Sequence, residues 1–137
     1  MSSGVTANSA CINTYQDMKL KKNYKYITYR ISDDLKEIIV DKTSSSTDYA
    51  DFIADLPKEE PRWAVYDVEF EKDGGKRNKL TFISWSPDDA KIKAKMVYAS
   101  SRDALRKSLD GVAVEIQATD VNEIAWESVL DKASRGR

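Results

Sequence analysis

Residues 79–118 read KLTFISWSPDDAKIKAKMVYASSRDALRKSLDGVAVEIQA and predict a strand, a long helix and a second strand. KLTFISW and VAVEIQA, at the two ends, are short apolar runs typical of buried strands. Between them Ser86 fits a helix N-cap, Pro87 fits the first helical position, and Asp110-Gly111 ends the helix. Two strands joined by a helix in one sheet are normally parallel, with a right-handed crossover. We therefore expect a parallel strand pair covered by a helix.

The predicted helix, Trp85–Leu109, has two different faces. One is small or apolar and is expected to pack on the sheet; it comprises Ala94, Val97, Tyr98, Ser101, Ala104, Leu105 and Ser108. The other holds basic residues and Asp103, with Ile92 and Met96 among them. Exposed methionine within a charged rim favours a protein-binding surface. An ordinary solvated face explains the pattern as well, because single exposed apolar residues are common.

The remaining segments predict helices and hairpins on both sides of this unit. Asn8 can cap a helix with Cys11, Ile12, Tyr15 and Met18 on one side, and alternation over residues 25–42 predicts a hairpin. Asp48 or Thr47 can cap a helix that Pro57 ends. RWAVYDVEFE and KLTFISW predict a second hairpin, with Gly74 and Gly75 supplying positive φ in its turn. Asp120 and Glu123 form a capping box for a last helix through about Ala133.

This element order predicts an α/β (α+β) fold with a central mixed sheet of about five strands and helices on both faces. The 137 residues suit a single domain over 1–137. Residues 1–7 are polar and contain glycine, and we interpret them as a flexible arm. Residues 134–137 are interpreted as a loose basic tail. Cys11 is the only cysteine, which excludes an intramolecular disulfide and fits a reducing compartment.

Charge is unevenly distributed along a chain whose formal net charge is −1. Residues 90–109 carry six Lys or Arg against Asp103 alone, whereas residues 48–71 carry eight Asp or Glu against two basic residues. Such a chain suits a partner with an acidic surface, or anionic lipid at one pole. The pI near 5.6 argues against nucleic-acid binding. The sequence contains neither a secretory leader nor a membrane span, so we expect a cytosolic protein.

Enzyme chemistry finds little support. The sequence has no histidine, which excludes the usual imidazole base, and Cys11 alone cannot complete a zinc site. The phosphate-binding pattern GxxxxGK[ST] and the EF-hand pattern are both absent. Asp67 and Glu69 share a strand face, but alternating polar positions on a half-exposed strand explain them more simply. We expect no enzymatic activity and no cofactor.

An ordered series of short matches resembles the ADF/cofilin family of small actin-filament-depolymerising proteins. The series runs almost end to end; it comprises SGV at 3–5, LK at 20–21, EIIV at 37–40, LP at 56–57, AVYDVEF at 64–70, KRNKLTFISWSPDDAKIKAKMVYASSRDAL at 76–105 and QATD at 117–120. The resemblance implies one ADF-homology domain in which the long helix is the main actin-binding element. It therefore favours the binding interpretation of that helix.

The resemblance also implies two sets of actin contacts. Contacts to monomeric and filamentous actin are implied for Ser3, Gly4, Val5, Lys93, Lys95, Met96, Asp103, Arg106 and Lys107. A second, filament-only set is implied for Arg77, Lys79, Asp131, Lys132 and Arg135. Ser3 resembles the family's regulatory phosphorylation site, with Ser2 as a rival. No metal site and no catalytic residue are implied.

The resemblance implies a monomeric protein of the cytoplasm and actin cytoskeleton. Its implied function is to bind actin, with a preference for the ADP form, and to sever and depolymerise filaments, which controls actin turnover. The alternatives are a relative that decorates filaments without severing, or a membrane-surface adaptor that responds to phosphoinositide headgroups. Two departures from the family stand out: Pro61-Arg62-Trp63 replaces a common Cys-Arg-Tyr, and the histidine of some pH-sensitive relatives is missing. Lys21-Lys22 is too short to serve as a nuclear-import signal.

Overall fold

The computed structural model describes residues 5–135 of the chain. Its elements in chain order are β1 Thr6–Ala7, α1 Ser9–Lys21, β2 Tyr26–Ile31, β3 Glu37–Ser44, α2 Tyr49–Asp55, β4 Arg62–Lys72, β5 Gly75–Trp85, α3 Ile92–Arg106, β6 Val114–Ala118, a 3-10 helix Val121–Ile124 and α4 Trp126–Ser134.

The sheet formed by these residues has the order β1-β3-β2-β4-β5-β6. Its centre is antiparallel, and a parallel pair lies at each edge: β1 with β3, and β5 with β6. The β5–β6 register runs from Thr81 opposite Val114 to Trp85 opposite Ala118. The predicted mixed sheet and the strand–helix–strand unit are thus confirmed. The described chain has six strands rather than about five because the two-residue β1 was not predicted.

Helices cover both faces of the sheet, as predicted. On one face, α1 and α3 pack on a core that includes Cys11, Tyr15 and Leu105. On the other face, α2 and α4 pack on a core that includes Phe52 and Val129. Strand residues alternate between the two cores, since both sides of a central strand are buried. The sheet therefore holds α3 and α4 on opposite sides.

The predicted flexible arm, residues 1–7, can be compared with the structure only over residues 5–7, because residues 1–4 lie outside the described part of the chain. Val5 is only 4% exposed, and Thr6–Ala7 pair in parallel with the start of β3. The amide of Thr6 donates to the carbonyl of Lys36, and that of Asn8 to the carbonyl of Ile38. The prediction of a flexible segment is therefore wrong for residues 5–7. A two-residue strand has no periodicity, and its pairing depends on a sheet edge that the local sequence does not show.

The long helix starts later than predicted. The amide of Ser86 donates to Ala118 and that of Asp88 to Thr119, so this segment continues to contact the end of β6. Pro87 opens a turn closed by the amide of Ala90, and the helix begins at Ile92 without a side-chain cap. The predicted Ser86 cap is wrong, because pairing beside β6 satisfies the backbone there. The predicted core face is confirmed, with Ser101 and Leu105 buried.

The last predicted helix is divided in two. Asp120 accepts from the amides of Asn122 and Glu123 and so caps the 3-10 helix, after which Ala125 is extended with ψ 147° and α4 begins. The Glu123 carboxylate also accepts from the amide and hydroxyl of Thr119. The tail prediction also fails in part, because Ser134 belongs to α4 and the carbonyl of Arg135 is hydrogen-bonded.

Two turn predictions have different outcomes. Asn8 caps α1 as expected, with its side chain accepting from the amide of Ala10 at 2.8 Å. In the β4–β5 turn, the residues with positive φ are Asp73 at 54° and Gly74 at 79°, not Gly74 and Gly75. Because Lys72 pairs with Gly75, the loop is the two-residue Asp-Gly type favoured by the twist of a hairpin.

Candidate protein-binding surface

The solvent face of α3 presents apolar side chains among charges. Ile92 is 75% exposed and Met96 66% exposed. The two residues lie on one stripe of the helix, with exposed charged residues beside them. We call this surface the α3 ridge; it comprises Ile92, Lys93, Met96, Asp103 and Lys107. Apolar area left exposed contributes nothing to folding, but a partner that covers it gains free energy of binding. The ridge therefore has the composition of a protein-binding surface.

Two predicted contact residues lie beside the ridge rather than on it. Lys95 is half-buried, and its ammonium donates to the carbonyl of Asp88 at 2.9 Å. Arg106 is half-buried, and its Nε lies 2.9 Å from a carboxylate oxygen of Glu115 on β6. Arg102 binds the same carboxylate. These bonds tie α3 to the edge strand, so Arg106 would have to leave Glu115 to bind a partner fully.

The beginning of the described chain lies next to α3. Strand β1 contacts the helix, and Val5 packs in the same core as Leu105. Of the predicted N-terminal contacts, Ser3 and Gly4 lie outside the described residues. Since Val5 is buried, its side chain is an anchor for this segment rather than a contact surface.

A second positive surface forms where the β4–β5 hairpin meets α4. We call it the hairpin–α4 patch, and its members are Arg77, Lys79, Asp131, Lys132 and Arg135. The ammonium of Lys79 lies 3.5 Å from the carbonyl of Arg135, and Arg135 pairs with Asp131 at 2.5 Å. The structure thus brings together residues that are more than fifty positions apart. Of the five filament-only candidates, Lys79, Asp131 and Arg135 are joined directly, and Arg77 and Lys132 lie on the same two elements.

Sequence reasoning missed the residue that joins the hairpin to α4. The Lys72 ammonium donates to the carbonyl of Ser134 at 3.1 Å, at the C-terminal end of α4. Cations favour this end of a helix because its last carbonyls lack helical partners. The hairpin was visible in the sequence, but its contact with α4 was not, since 62 residues separate the two partners.

The α3 ridge and the hairpin–α4 patch lie on elements that cover opposite faces of the sheet. One molecule can therefore touch two bodies at once, or two parts of a large one. Both surfaces carry more positive than negative charge. The ridge has Lys93 and Lys107 against Asp103, and the patch has four basic residues against Asp131. Both suit an acidic partner.

The described residues offer no chemistry for catalysis at either surface. Burial raises the pKa of the Cys11 thiol to about 11, and its Sγ contacts the carbonyl of Ile38. A protonated, buried thiol is a poor nucleophile and metal ligand. Within residues 5–135, no three Cys, Asp or Glu side chains are grouped to hold a metal ion.

The same part of the chain contains no helix that is both long and apolar enough to cross a bilayer.

Comparison with known proteins gives the same picture over nearly the whole chain. The family described as cofilin/tropomyosin-type actin-binding protein matches residues 4–134. The cofilin of Mycosarcoma maydis is 57% identical over 136 residues, covering 98% of each chain. A crystal structure of Streptomyces griseoflavus cofilin is 60% identical with a TM-score of 0.93, covering 98% of this chain and all of the other. Plasmodium berghei actin depolymerization factor 2 is 30% identical with a TM-score of 0.86, covering 96% and 98%. This chain therefore belongs to the cofilin/tropomyosin-type family of actin-binding proteins, a family of binding proteins rather than enzymes.

Proposed function

We propose that this protein binds monomeric and filamentous actin, prefers ADP-bound subunits, and severs and depolymerises filaments. The observation that carries the proposal is the α3 ridge, where Ile92 and Met96 stand exposed among lysines in a chain of this family. An actin-turnover role in the cytoplasm follows from the family. Severing and the preference for ADP-bound subunits do not follow from the family alone and are the more specific part of the proposal.

The ridge and the residues beside it form the proposed contact for both monomer and filament. Its members are Ser3, Gly4, Val5, Lys93, Lys95, Met96, Asp103, Arg106 and Lys107. Lys93, Lys107 and Met96 are its exposed basic and apolar members, which supports a central role for them. Val5 contributes by anchoring the N-terminal segment beside α3. Arg106 contributes through the part of its guanidinium that Glu115 leaves uncovered.

The hairpin–α4 patch is the proposed filament-only contact. It lies on elements that cover the opposite face from α3, so it can reach a second actin subunit while the ridge holds the first. A monomer offers no second subunit, which explains why loss of this patch would spare monomer binding.

Severing needs no bond-making chemistry in this scheme. A protein that binds one filament conformation more tightly shifts the filament toward that conformation. Boundaries between decorated and bare filament then hold mismatched contacts and break more easily. The chain's lack of catalytic groups is compatible with this mechanism.

Phosphorylation of Ser3 is the proposed off-switch. A phosphate adds about −1.5 to −2 charges at neutral pH. Ser3 is two residues from Val5, which is buried beside α3, so the phosphate would stand close to the surface that faces acidic actin. Binding should weaken through repulsion between like charges.

Anionic lipid headgroups are a second proposed ligand, competing with actin. The basic residues of α3 and of the C-terminal tail are the proposed site, because clustered lysine and arginine side chains favour phosphoinositide headgroups. Flotation with vesicles that contain or lack phosphoinositide, compared with actin pelleting, ranks the two ligands.

Time-lapse imaging of single labelled filaments over a concentration series tests the main proposal. Severing predicts that the number of fragments rises with time and is greatest at partial occupancy, where boundaries are most numerous. A protein that coats filaments without raising the fragment number is instead a decorating relative. Repeating the series with ADP- and ATP-like filaments tests the nucleotide preference.

A further inference from the structure

A recess lies between α3 and the carboxyl ends of β5 and β6. Its volume is about 220 Å³, and Trp85 and Ala118, the last residues of the two strands, are among those that line it. These strands are parallel neighbours in the sheet and are connected through α3. In open parallel α/β sheets, ligands bind in crevices beyond the carboxyl ends of the strands. This recess lies at the corresponding end of a parallel strand pair that a helix connects.

The recess has an aromatic wall. Trp63 from β4 and Tyr98 from α3 both line it, and their ring centroids are 4.6 Å apart with an angle of 38° between the ring planes. Trp63 is 2% exposed, so the core holds its ring rigidly, and the half-buried Tyr98 supplies most of the ring surface open to a ligand. A rigid aromatic surface favours an aromatic or flat apolar group through ring contacts.

The same recess is positively charged. Lys95 and Arg102 line it, and none of the described residues that line it is acidic. Glu115 offsets the charge of Arg102. The Lys95 ammonium donates to the carbonyl of Asp88, which is uncharged and so does not offset the positive charge of Lys95. An anionic group on the ligand is therefore favoured over a neutral one.

Two hydrogen-bonding groups of lining residues lack partners. Ser84 Oγ and Arg102 Nε are shielded from solvent and have no hydrogen-bond partner among the described residues. Such shielded donors are uncommon in folded proteins and destabilise them.

The size of the recess suits a ligand with one ring. Its volume exceeds the roughly 150 Å³ of a cavity that holds benzene and is smaller than the roughly 300 Å³ at which drug-sized pockets begin. We propose that this recess binds a small aromatic carboxylate, with the ring against Trp63 and Tyr98 and the carboxylate beside Lys95 and Arg102.

Titration of the isotope-labelled protein by NMR tests the proposal, with 3-phenylpropionate as the probe and its amide as the uncharged match. The indole N–H of Trp63 should shift with 3-phenylpropionate. That of Trp126, which packs in the core on the other face, should not. Loss of the ligand's charge should weaken binding about tenfold, since a hydrogen bond to a charged group is lost. Equal binding of acid and amide, or no shift of Trp63 with millimolar probe, overturns the proposal.

Matched lysine variants locate the charge that the ligand meets. Lys95→Ala should weaken binding of 3-phenylpropionate about tenfold and leave the amide unaffected. Lys91→Ala removes an exposed lysine that does not line the recess and should bind as the wild type does. Equal effects of the two variants overturn the site. The titration uses the free protein, so its outcome is independent of whether the proposed actin contacts are right.

Discussion

At the scale of single residues, exposure separates the side chains of α3 that can meet a partner from those that hold the helix in place. Lys93, Met96 and Lys107 extend into solvent, whereas Lys95 and Arg106 are bound by their own chain. All five belong to one basic segment, and the sequence does not distinguish them. For Arg106 the difference arises from β6, whose Glu115 binds its guanidinium, and for Lys95 it arises from the carbonyl of Asp88.

Replacement of Lys93 and Lys95 together by alanine should weaken binding to both actin monomers and filaments by at least about tenfold, because two charged contacts are lost. The fold should remain, since surface substitutions away from special features change stability by about 0.5 kcal/mol or less. Pelleting with filaments and monomer-binding fluorescence measure the effect. Lys91→Ala is the control for the loss of a lysine; wild-type affinity in the double variant would remove α3 from the proposed site.

At the scale of secondary-structure elements, charged side chains attach both α3 and α4 to the strands of the sheet. Glu115 of β6 binds both Arg102 and Arg106 of α3. Lys72 and Lys79 of the β4–β5 hairpin donate to the last carbonyls of α4. The second contact assembles the hairpin–α4 patch, and so it links the stability of one helix end to the proposed filament contact.

Replacement of Lys72 by methionine should loosen the end of α4, because the carbonyl of Ser134 loses its cation. We expect a stability loss of about 0.5 kcal/mol and weaker filament binding with normal monomer binding. Urea unfolding and paired pelleting and monomer assays measure the two effects. Lys72→Arg should restore filament binding, and Lys76→Ala, on the same hairpin but exposed, is the control for charge. Equal filament affinity in the Lys72→Met and Lys76→Ala variants would show that the contact does not position α4.

At the scale of the whole molecule, the sheet separates the two proposed contact surfaces, and buried tyrosines surround it. Three of these, Tyr15, Tyr26 and Tyr66, come from separate elements, and burial raises the pKa of each to about 12. With no histidine in the chain, no side chain has an ordinary pKa near 6.5. The separation of surfaces and the response to pH are thus properties of the complete fold.

Replacement of Arg77 and Lys79 together by alanine should abolish filament binding and spare monomer binding, since the α3 ridge lies on the other side of the sheet. Filament pelleting and monomer-binding fluorescence, carried out on the same preparation, measure the two affinities. The Lys93→Ala, Lys95→Ala double variant is the reference in which both should fall. Parallel loss of monomer binding in the Arg77, Lys79 variant would contradict the two-surface arrangement.

Stability should be nearly independent of pH around neutrality and fall steeply between pH 10 and 12. Unfolded tyrosine loses its proton near its ordinary pKa of 10.0, whereas the folded protein keeps it up to about 12. In that interval the unfolded state binds fewer protons, so each tyrosine lowers stability by about 1.4 kcal/mol per pH unit as pH rises. Urea unfolding over a pH series, with ultraviolet absorbance to follow ionisation, tests this. Tyrosines that ionise near pH 10 in a protein that stays folded would contradict it.

The amino-acid sequence alone was enough to predict the central elements and the family. Alternation and turn chemistry predicted β2 to β5, the Asn8 cap and the core face of α3, because these depend on neighbours a few residues apart. The helical pattern also indicated the exposed face of α3. The ordered matches to the ADF/cofilin family supplied the full set of candidate residues for both surfaces.

Only the tertiary structure decided the features that depend on distant partners. Val5 is buried because β3 offers an open edge, α3 begins at Ile92 because the preceding segment pairs with β6, and α4 ends against Lys72. Each of these contacts joins residues about thirty or more positions apart. Their energies come from burial, hydrogen bonding and charge at sites that exist only once the sheet has formed, and so no reading of neighbouring residues could predict them.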